Sequence, residues 1–215
     1  MSGIVEFVEK SHLEEQGKLT FKYAYEFLNG KCPAHFASRS IMLSGDTGIG
    51  KTYLAEKLMG SSDGWTIVVG GASRLKGNNV RRCETVKEVV SALKSTDKAA
   101  VLIDDIDYIM EKDEMDYKFE DKKWLMELLE EVKARPDAFL LVTANSSSLD
   151  AALFDRFESK IDAELPSDSE KRQYLLNNYS GYIDPVLLEQ LACLSFGYNF
   201  RDLAEVARMA YRNGS

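Results

Sequence analysis

Residues 45–52 read Gly-Asp-Thr-Gly-Ile-Gly-Lys-Thr, a set of residue types that can hold a polyphosphate. The spacing is the complete nucleotide-binding loop pattern G-x-x-x-x-G-K-[ST]. Its three glycines allow a tight turn in which several backbone N–H groups point at phosphate oxygens. Lys51 supplies positive charge for the β- and γ-phosphates, and the Thr52 hydroxyl can hold Mg²⁺. The pattern predicts a nucleoside triphosphate site. Its predicted binding residues are Gly45, Asp46, Thr47, Gly48, Ile49, Gly50, Lys51, Thr52 and Tyr53.

The acidic pair Asp104-Asp105 ends a short apolar run and forms a second group of candidates. A buried strand of this kind brings its first carboxylate beside the loop, where Asp104 can hold the water shell of Mg²⁺. Asp105 can then take a proton from the attacking water or orient it. Acidic residues also cap strands at solvent, but the position after a phosphate loop favours the functional interpretation. Asp107 is a competing candidate for the role of Asp105, because both face the same side of an extended strand.

Two further polar residues could complete a site for hydrolysis. Asn145 ends the next buried strand, and its amide can hydrogen-bond a γ-phosphate or an attacking water; alternatively, it is a turn residue. Arg156 lies between Asp155 and Phe157, a setting in which an arginine is usually part of a surface ion pair. Taken alone, these residues leave both roles open.

The surrounding pattern supplies the elements that such a site requires. A short apolar strand at residues 40–44 precedes the loop, and a helix over residues 53–59 follows it. The loop therefore ends at a helix N-terminus, where the dipole favours anions. Further apolar runs alternate with helical stripes along the chain. The remaining strands are predicted at residues 66–69, 99–103, 139–143 and 161–165. Strand–helix alternation with buried strands predicts an α/β fold, a parallel sheet with helices on both faces.

The pattern changes near Pro166, after which three helices and no strand are predicted. Ser167 and Glu170 form a capping box for the first of these helices. Asp184 precedes the second, which carries Leu187, Leu191 and Leu194 on one face, and Asn199 opens the third. Upstream, residues 4–30 resemble two amphipathic helices. We therefore expect an N-terminal helical segment (1–34), an α/β nucleotide-binding domain (35–166) and a small helical domain (167–215).

Composition limits the class of protein. The 215 residues are 45% hydrophobic and 29% charged, which allows a real core. The net charge of −8 argues against a chain that mainly binds a phosphate backbone, although a local basic patch stays possible. No apolar run approaches the roughly 20 residues needed to span a bilayer, and the first residues do not resemble a signal peptide. Three widely spaced cysteines suit free thiols in a reducing cytoplasm and no metal site.

The order of these motifs over residues 35–213 resembles that of AAA+ ATPases. The resemblance implies a three-layer P-loop NTPase domain followed by a helical lid, with the strand of Asn145 between the loop strand and the acidic strand. Asn145 matches the sensor-1 position, and Arg156 matches the arginine finger that reaches the nucleotide of a neighbouring subunit. Residues 197–203 are similar to the sensor-2 turn, in which Arg201 touches the γ-phosphate; alternatively, Arg201 is a solvated first-turn residue.

The resemblance implies ATP binding and hydrolysis with Mg²⁺ at the interfaces of a homo-oligomeric ring or arc. Three kinds of action stay open: a replication-type motor or loader that acts on DNA or a DNA-bound protein, a protein remodeller or unfoldase, and an ATP-binding switch with little turnover. The chain departs from the family in using Asp105 where Glu is usual, which predicts slow hydrolysis. It also lacks the pore-loop aromatic, and the matching loop is basic (Arg74, Lys76, Arg81 and Arg82). A solvated loop is favoured there over nucleic-acid contact.

Overall fold

A six-stranded parallel sheet forms the centre of the molecule. The computed structural model describes residue 11 and residues 13–71, 73–107, 119–145 and 151–214. In sheet order the strands are β3 (Val80–Cys83), β2 (Thr66–Gly71), β4 (Ala99–Asp104), β5 (Ala138–Thr143), β1 (Ser40–Ser44) and β6 (Ser159–Asp162). Every neighbouring pair is parallel. The predicted position of β5 between β1 and β4 is confirmed.

Helices cover both faces of the sheet and give the expected three layers. On one face pack α1 (Glu15–Leu28) and α2 (Lys51–Met59), and on the other α3 (Val86–Lys94) and α4 (Phe119–Ala134). Successive strand residues supply the two cores alternately: Val101 of β4 packs with α3 and α4, and Leu102 packs on the opposite face. Strands buried on both faces need continuous apolar runs, which is why β4 and β5 were readily predicted. The α/β P-loop NTPase fold class is confirmed.

The helical C-terminal region is also confirmed. A short helix, α5 (Ala151–Phe154), precedes β6, and three helices follow it: α6 (Asp168–Tyr179), α7 (Pro185–Leu194) and α8 (Phe200–Gly214). Ser167 and Glu170 form the predicted capping box at the start of α6. The side chains of Asp184 and Asn199 accept backbone hydrogen bonds at the starts of α7 and α8. Polar caps therefore fix where each helix begins.

Three details differ from the sequence prediction. The pattern did not predict β3, an edge strand whose Arg81 and Arg82 are exposed and interrupt any apolar run. The last strand is Ser159–Asp162 rather than residues 161–165, because pairing with β1 begins at polar residues and the chain then leaves the sheet. Helix α2 begins at Lys51, two residues before the predicted start.

The N-terminal segment packs on the sheet rather than forming a core of its own. Helix α1 is the second of the two predicted helices and buries Phe21, Ala24 and Leu28 against the sheet. Most of the first predicted helix lies outside the described residues. Leu13 forms an isolated antiparallel bridge with Ala163, directly after β6. None of the described helices is both long enough and apolar enough to cross a membrane.

Candidate nucleotide-binding site

The loop between β1 and α2 has a backbone that only glycine adopts easily at three points. Gly45, Gly48 and Gly50 have φ values of 138°, 86° and 99°. A Cβ atom on Gly45 would also lie 2.5 Å from the carbonyl oxygen of Ala163, so a side chain there would meet backbone. Gly50 precedes the first residue of α2, and the loop therefore meets the positive end of the helix dipole.

Lys51 is the first residue of α2 and is only 5% exposed. Its Nζ donates to the carbonyl oxygens of Gly45 (2.9 Å) and Asp46 (2.8 Å) and to Oδ1 of Asn145 (2.7 Å). Burial lowers the pKa of Lys51, and the nearby carboxylates of Asp105 and other acidic residues oppose that effect. The ammonium group is thus held by oxygen acceptors at the centre of the phosphate loop.

Asp104 ends β4 and is 2% exposed. Its Oδ1 accepts hydrogen bonds from the hydroxyls of Thr52 (2.9 Å) and Thr143 (2.6 Å). Burial raises the pKa of Asp104, and these two hydrogen bonds oppose the shift. Thr143, for which the sequence suggested no role, also accepts a hydrogen bond from the backbone N–H of Asp105 at 2.9 Å. Its hydroxyl therefore joins the ends of β4 and β5.

Thr52 and Asp104 have the donor chemistry of a magnesium site. Mg²⁺ prefers oxygen ligands and is commonly held by one or two carboxylates together with waters and substrate phosphates. The two side chains lie within hydrogen-bond distance of each other beside the loop, so both can reach one ion. Within the described ranges no group of three or more His, Cys, Asp or Glu side chains forms a metal-binding cluster. An ion here would therefore complete its shell with phosphate oxygens and water.

Asp105 differs sharply from the adjacent Asp104. It is exposed and has φ of 57°, the one positive φ among the described non-glycine residues. Aspartate tolerates this left-handed conformation better than most residues. The turn takes Asp105 out of the strand, and its Oδ1 accepts a hydrogen bond from Nδ2 of Asn145 at 2.8 Å.

Asn145 follows β5 and connects the lysine to two acidic residues. Its Oδ1 accepts from Lys51, and its Nδ2 donates to Asp105 and to Oδ2 of Asp107 (3.1 Å). Its backbone N–H donates to Oδ1 of Asp107 at 2.6 Å. The structure thus brings together Lys51, Asp105 and Asn145, three of the predicted site residues, and adds Asp107 as a contact of Asn145.

The start of α8 lies directly against the phosphate loop. The backbone N–H of Phe200 donates to the carbonyl oxygen of Gly48 at 3.1 Å. A Cβ atom on Gly48 would lie 2.7 Å from Oδ1 of Asn199 and 3.0 Å from Cβ of Arg201. Arg201 is exposed, and within the described part of the chain its guanidinium forms no hydrogen bond or ion pair. The predicted sensor-2 residue is therefore next to the loop.

Arg156 lies away from this cluster, between α5 and β6. Its Nη1 forms a 3.2 Å ion pair with Oε1 of Glu130 on α4, and 39% of its side chain is exposed. Phe157, beside it, is buried in the core and fixes the position of the turn. Within the described residues its side chain therefore pairs with α4 rather than with the phosphate loop.

The remaining predicted residues have varied settings. Asp46 and Thr47 are exposed on the loop, whereas Ile49 is buried beneath it. Tyr53 is exposed and stacks under the ammonium of Lys57. These side chains shape the loop or its rim, and the backbone of the loop carries the phosphate-binding geometry.

The glycine-dependent loop, the buried lysine and the acidic end of a neighbouring parallel strand define a P-loop nucleotide-binding protein. The family model of the ATPase family associated with various cellular activities (AAA) matches residues 41–165, more than half of the chain. The chain belongs to the AAA ATPase family.

Relatives and solved structures agree with this assignment. Protein SAV of Sulfolobus acidocaldarius is 29% identical over 185 residues, which cover 80% of this chain and 23% of that protein. The cell division cycle protein 48 homolog of Archaeoglobus fulgidus is 27% identical over 184 residues, with 80% and 25% covered. The chain thus spans about a quarter of these relatives.

Two solved structures share the fold. The crystal structure of the FIGL-1 AAA domain in complex with ADP superposes with a TM-score of 0.71 at 19% identity, covering 98% of this chain and 79% of that one. In the HORMA:CdnC:Trip13 complex of E. coli MS115-1 the matching chain gives a TM-score of 0.63 at 17% identity, with 95% and 83% covered.

Proposed function

We propose that this chain binds ATP with Mg²⁺, hydrolyses it at interfaces between copies of itself, and uses the resulting motion to remodel a protein partner. In this proposal residues 35–166 form the nucleotide-binding domain and residues 167–215 the lid. The observation that carries it is the meeting of Lys51, Asp104, Asp105 and Asn145 at the adjacent carboxyl ends of β1, β4 and β5. Ligands of open α/β sheets bind at this edge.

Each residue of the cluster then has one role. Lys51 and the backbone N–H groups of the loop bind the phosphates, while Thr52 and Asp104 hold Mg²⁺, which supplies charge that neutralises the phosphate oxygens. Asp105 orients the attacking water and accepts its proton, because it is the exposed carboxylate of the pair. Asn145 donates to the same water or to the γ-phosphate.

Two arginines are assigned to the γ-phosphate, Arg201 from the same chain and Arg156 from a neighbouring subunit. Arg201 belongs to the lid, and the contact between Phe200 and Gly48 supports its placement over the loop of its own chain. Arg156 is partly exposed at the surface, away from the loop of its own chain, which supports a role in the site of a neighbouring subunit. A trans arginine makes the subunit interface part of the active site, so turnover requires assembly into a ring or arc.

The surface of the lid supports such assembly. Helix α7 has apolar residues on two faces. Leu188 and Ala192 are buried, whereas Leu187 and Leu194, which lie on the face predicted to be apolar, are exposed. Leu194 is 81% exposed, and Phe196 after it is 94% exposed. Exposed apolar residues that lie together indicate a protein contact, and a second copy of the chain fits the requirement of the active site.

A protein partner is the first candidate for the client. The Trip13 neighbour was solved in a complex with other proteins, HORMA and CdnC, and the net charge of −8 disfavours a nucleic-acid client. The basic loop gives little support for DNA, because Arg82 donates to the carbonyl oxygens of Ser73 and Leu75 within its own chain. The three free thiols support a reducing location such as the cytoplasm.

A steady-state ATPase assay tests this proposal. The parent chain, Lys51→Ala and Arg156→Ala are compared with unfolded protein, single-stranded DNA, duplex DNA or no addition. We expect magnesium-dependent turnover in the parent, with a rate per subunit that rises with enzyme concentration and on addition of unfolded protein. Both variants should be slower than the parent by at least about 10³. Stimulation by DNA alone would favour a replication-type client. ATP binding without turnover would favour an ATP-binding switch. This alternative has a specific basis, because the side chain of Asp105 is shorter than the glutamate that is usual at this position.

A further inference from the structure

Asp107 contacts Asn145 with both carboxylate oxygens. Oδ1 accepts from the backbone N–H of Asn145 at 2.6 Å, and Oδ2 accepts from its side-chain Nδ2 at 3.1 Å. Hydrogen bonds to an ionised acceptor are about twice as strong as those between neutral groups. Asp107 therefore binds Asn145, two residues past the end of β5, at two points, one on the backbone and one on the side chain.

These two hydrogen bonds determine which way the side-chain amide of Asn145 faces. A carboxamide can rotate by half a turn, but the lysine ammonium requires an oxygen, and the carboxylates require an N–H donor. With Asp107 and Asp105 on one side, Nδ2 must face them, and Oδ1 must face Lys51 at 2.7 Å. The position of the lysine and the orientation of the amide are therefore linked through Asp107.

The same geometry distinguishes Asp107 from a residue that acts on water. Each of its oxygens already accepts a hydrogen bond from Asn145, and the side chain is half-buried. Asp105 is exposed, and only its Oδ1 contacts Asn145. Of the two, Asp105 has the oxygen that can meet a water at the phosphate.

We propose that Asp107 is a positioning residue, which fixes the amide of Asn145 and, through it, the ammonium of Lys51. The inference rests on the proposed function, because it assigns Asp107 a part in the same hydrolysis. It predicts that Asp107 contributes to turnover only while Asn145 is present to be positioned.

A double-mutant cycle tests this dependence. Asp107→Asn keeps one acceptor for the backbone N–H but places an NH₂ group against Nδ2, so we expect kcat to fall by about tenfold to a hundredfold. The Kd for ATP should stay within about threefold, because Lys51 keeps its hydrogen bonds to the carbonyl oxygens of Gly45 and Asp46 when its third acceptor, Asn145, is disturbed. In an Asn145→Ala background, Asp107→Asn should change kcat by less than about twofold. Asp63→Asn, the same chemical change at an exposed position, is the matched control and should leave kcat unchanged.

A second measurement does not depend on turnover. A short hydrogen bond to a carboxylate moves a backbone amide proton downfield in NMR, and ¹⁵N-asparagine labelling with Asn145→Ala identifies the signal. We expect the Asn145 amide proton to move upfield in Asp107→Asn and not in Asp63→Asn. The positioning role would be overturned if Asp107→Asn lowered kcat by the same factor with and without Asn145→Ala. An unmoved amide signal in Asp107→Asn would also overturn it. If Asp107→Asn moved the amide signal but the parent showed no turnover, the contact between Asp107 and Asn145 would stand and the proposed hydrolysis would be rejected.

Discussion

At the scale of single residues, neighbouring carboxylates differ in chemistry because their environments differ. Asp104 is buried and accepts two hydroxyl hydrogen bonds, whereas Asp105 is exposed after a left-handed turn. In the proposed function the first carboxylate stays in place and holds Mg²⁺, and the second meets the attacking water. Identical residue types one position apart therefore predict different results on substitution.

Asp105→Asn should bind ATP and fail to hydrolyse it. The amide has nearly the same size and tolerates a positive φ, but it cannot accept a proton, so turnover should fall by about 10²–10⁴. ATP affinity should hold or rise slightly, because one negative charge near the γ-phosphate is lost. Asp104→Asn should instead weaken magnesium-dependent binding. Titration calorimetry and single-turnover hydrolysis separate the two, and full turnover in Asp105→Asn would contradict the assignment.

Lys51 should give the folding stability a specific pH dependence. Burial lowers its pKa in the folded chain below the ordinary lysine value of about 10.4. A group with a lowered folded pKa contributes stability above its unfolded pKa and loses it as pH falls through the folded pKa. The free energy of unfolding of the parent, minus that of Lys51→Met, should therefore fall as pH is lowered below the ordinary lysine pKa of about 10.4. Urea unfolding across this window measures the difference, and a flat difference would show that the lysine is not desolvated.

At the scale of elements, the contact between the loop and the start of α8 depends on Gly48. Gly48→Ala would force a side chain into a φ of 86° and toward the side-chain oxygen of Asn199. We expect a stability loss of about 1–3 kcal/mol, and ATP affinity should fall by at least about tenfold because α8 is displaced. Gly64→Ala is the control: its φ is 74°, but a Cβ there meets nothing within 4 Å. It should lose stability through backbone strain and keep its ATP affinity.

The same scale shows what the sequence could predict. The sequence predicts β1, β4 and β5 because strands buried on both faces are continuously apolar. It predicts the starts of α6 and α7 because the capping residues Ser167 and Asp184 are local signals. Strand β3 was missed because an edge strand can be polar. The contacts of Asn145 with Asp107 join residues 38 positions apart. They depend on how the turn after β4 aims each carboxylate, which no local pattern of residue types records.

At the scale of the whole molecule, the proposed mechanism requires a second copy of the chain. Arg156 is partly exposed in an ion pair with Glu130, while apolar residues on and after α7 face solvent. Assembly would bury these apolar residues and place Arg156 beside the nucleotide of a neighbouring subunit. Turnover should therefore depend on combinations of subunits rather than on one chain alone.

Mixing two inactive variants tests that dependence directly. Arg156→Ala should bind ATP normally and hydrolyse it about 10³–10⁵ times more slowly than the parent, the usual value of a trans arginine. Adding Asp105→Asn subunits, which keep Arg156, should restore part of the activity, because each mixed interface joins an intact Asp105 to an intact Arg156. Glu130→Gln is the control: it removes the ion pair but keeps the arginine, so its rate should match the parent. If Glu130→Gln were as slow as Arg156→Ala and no mixture recovered activity, Arg156 would serve its own chain as a structural ion pair.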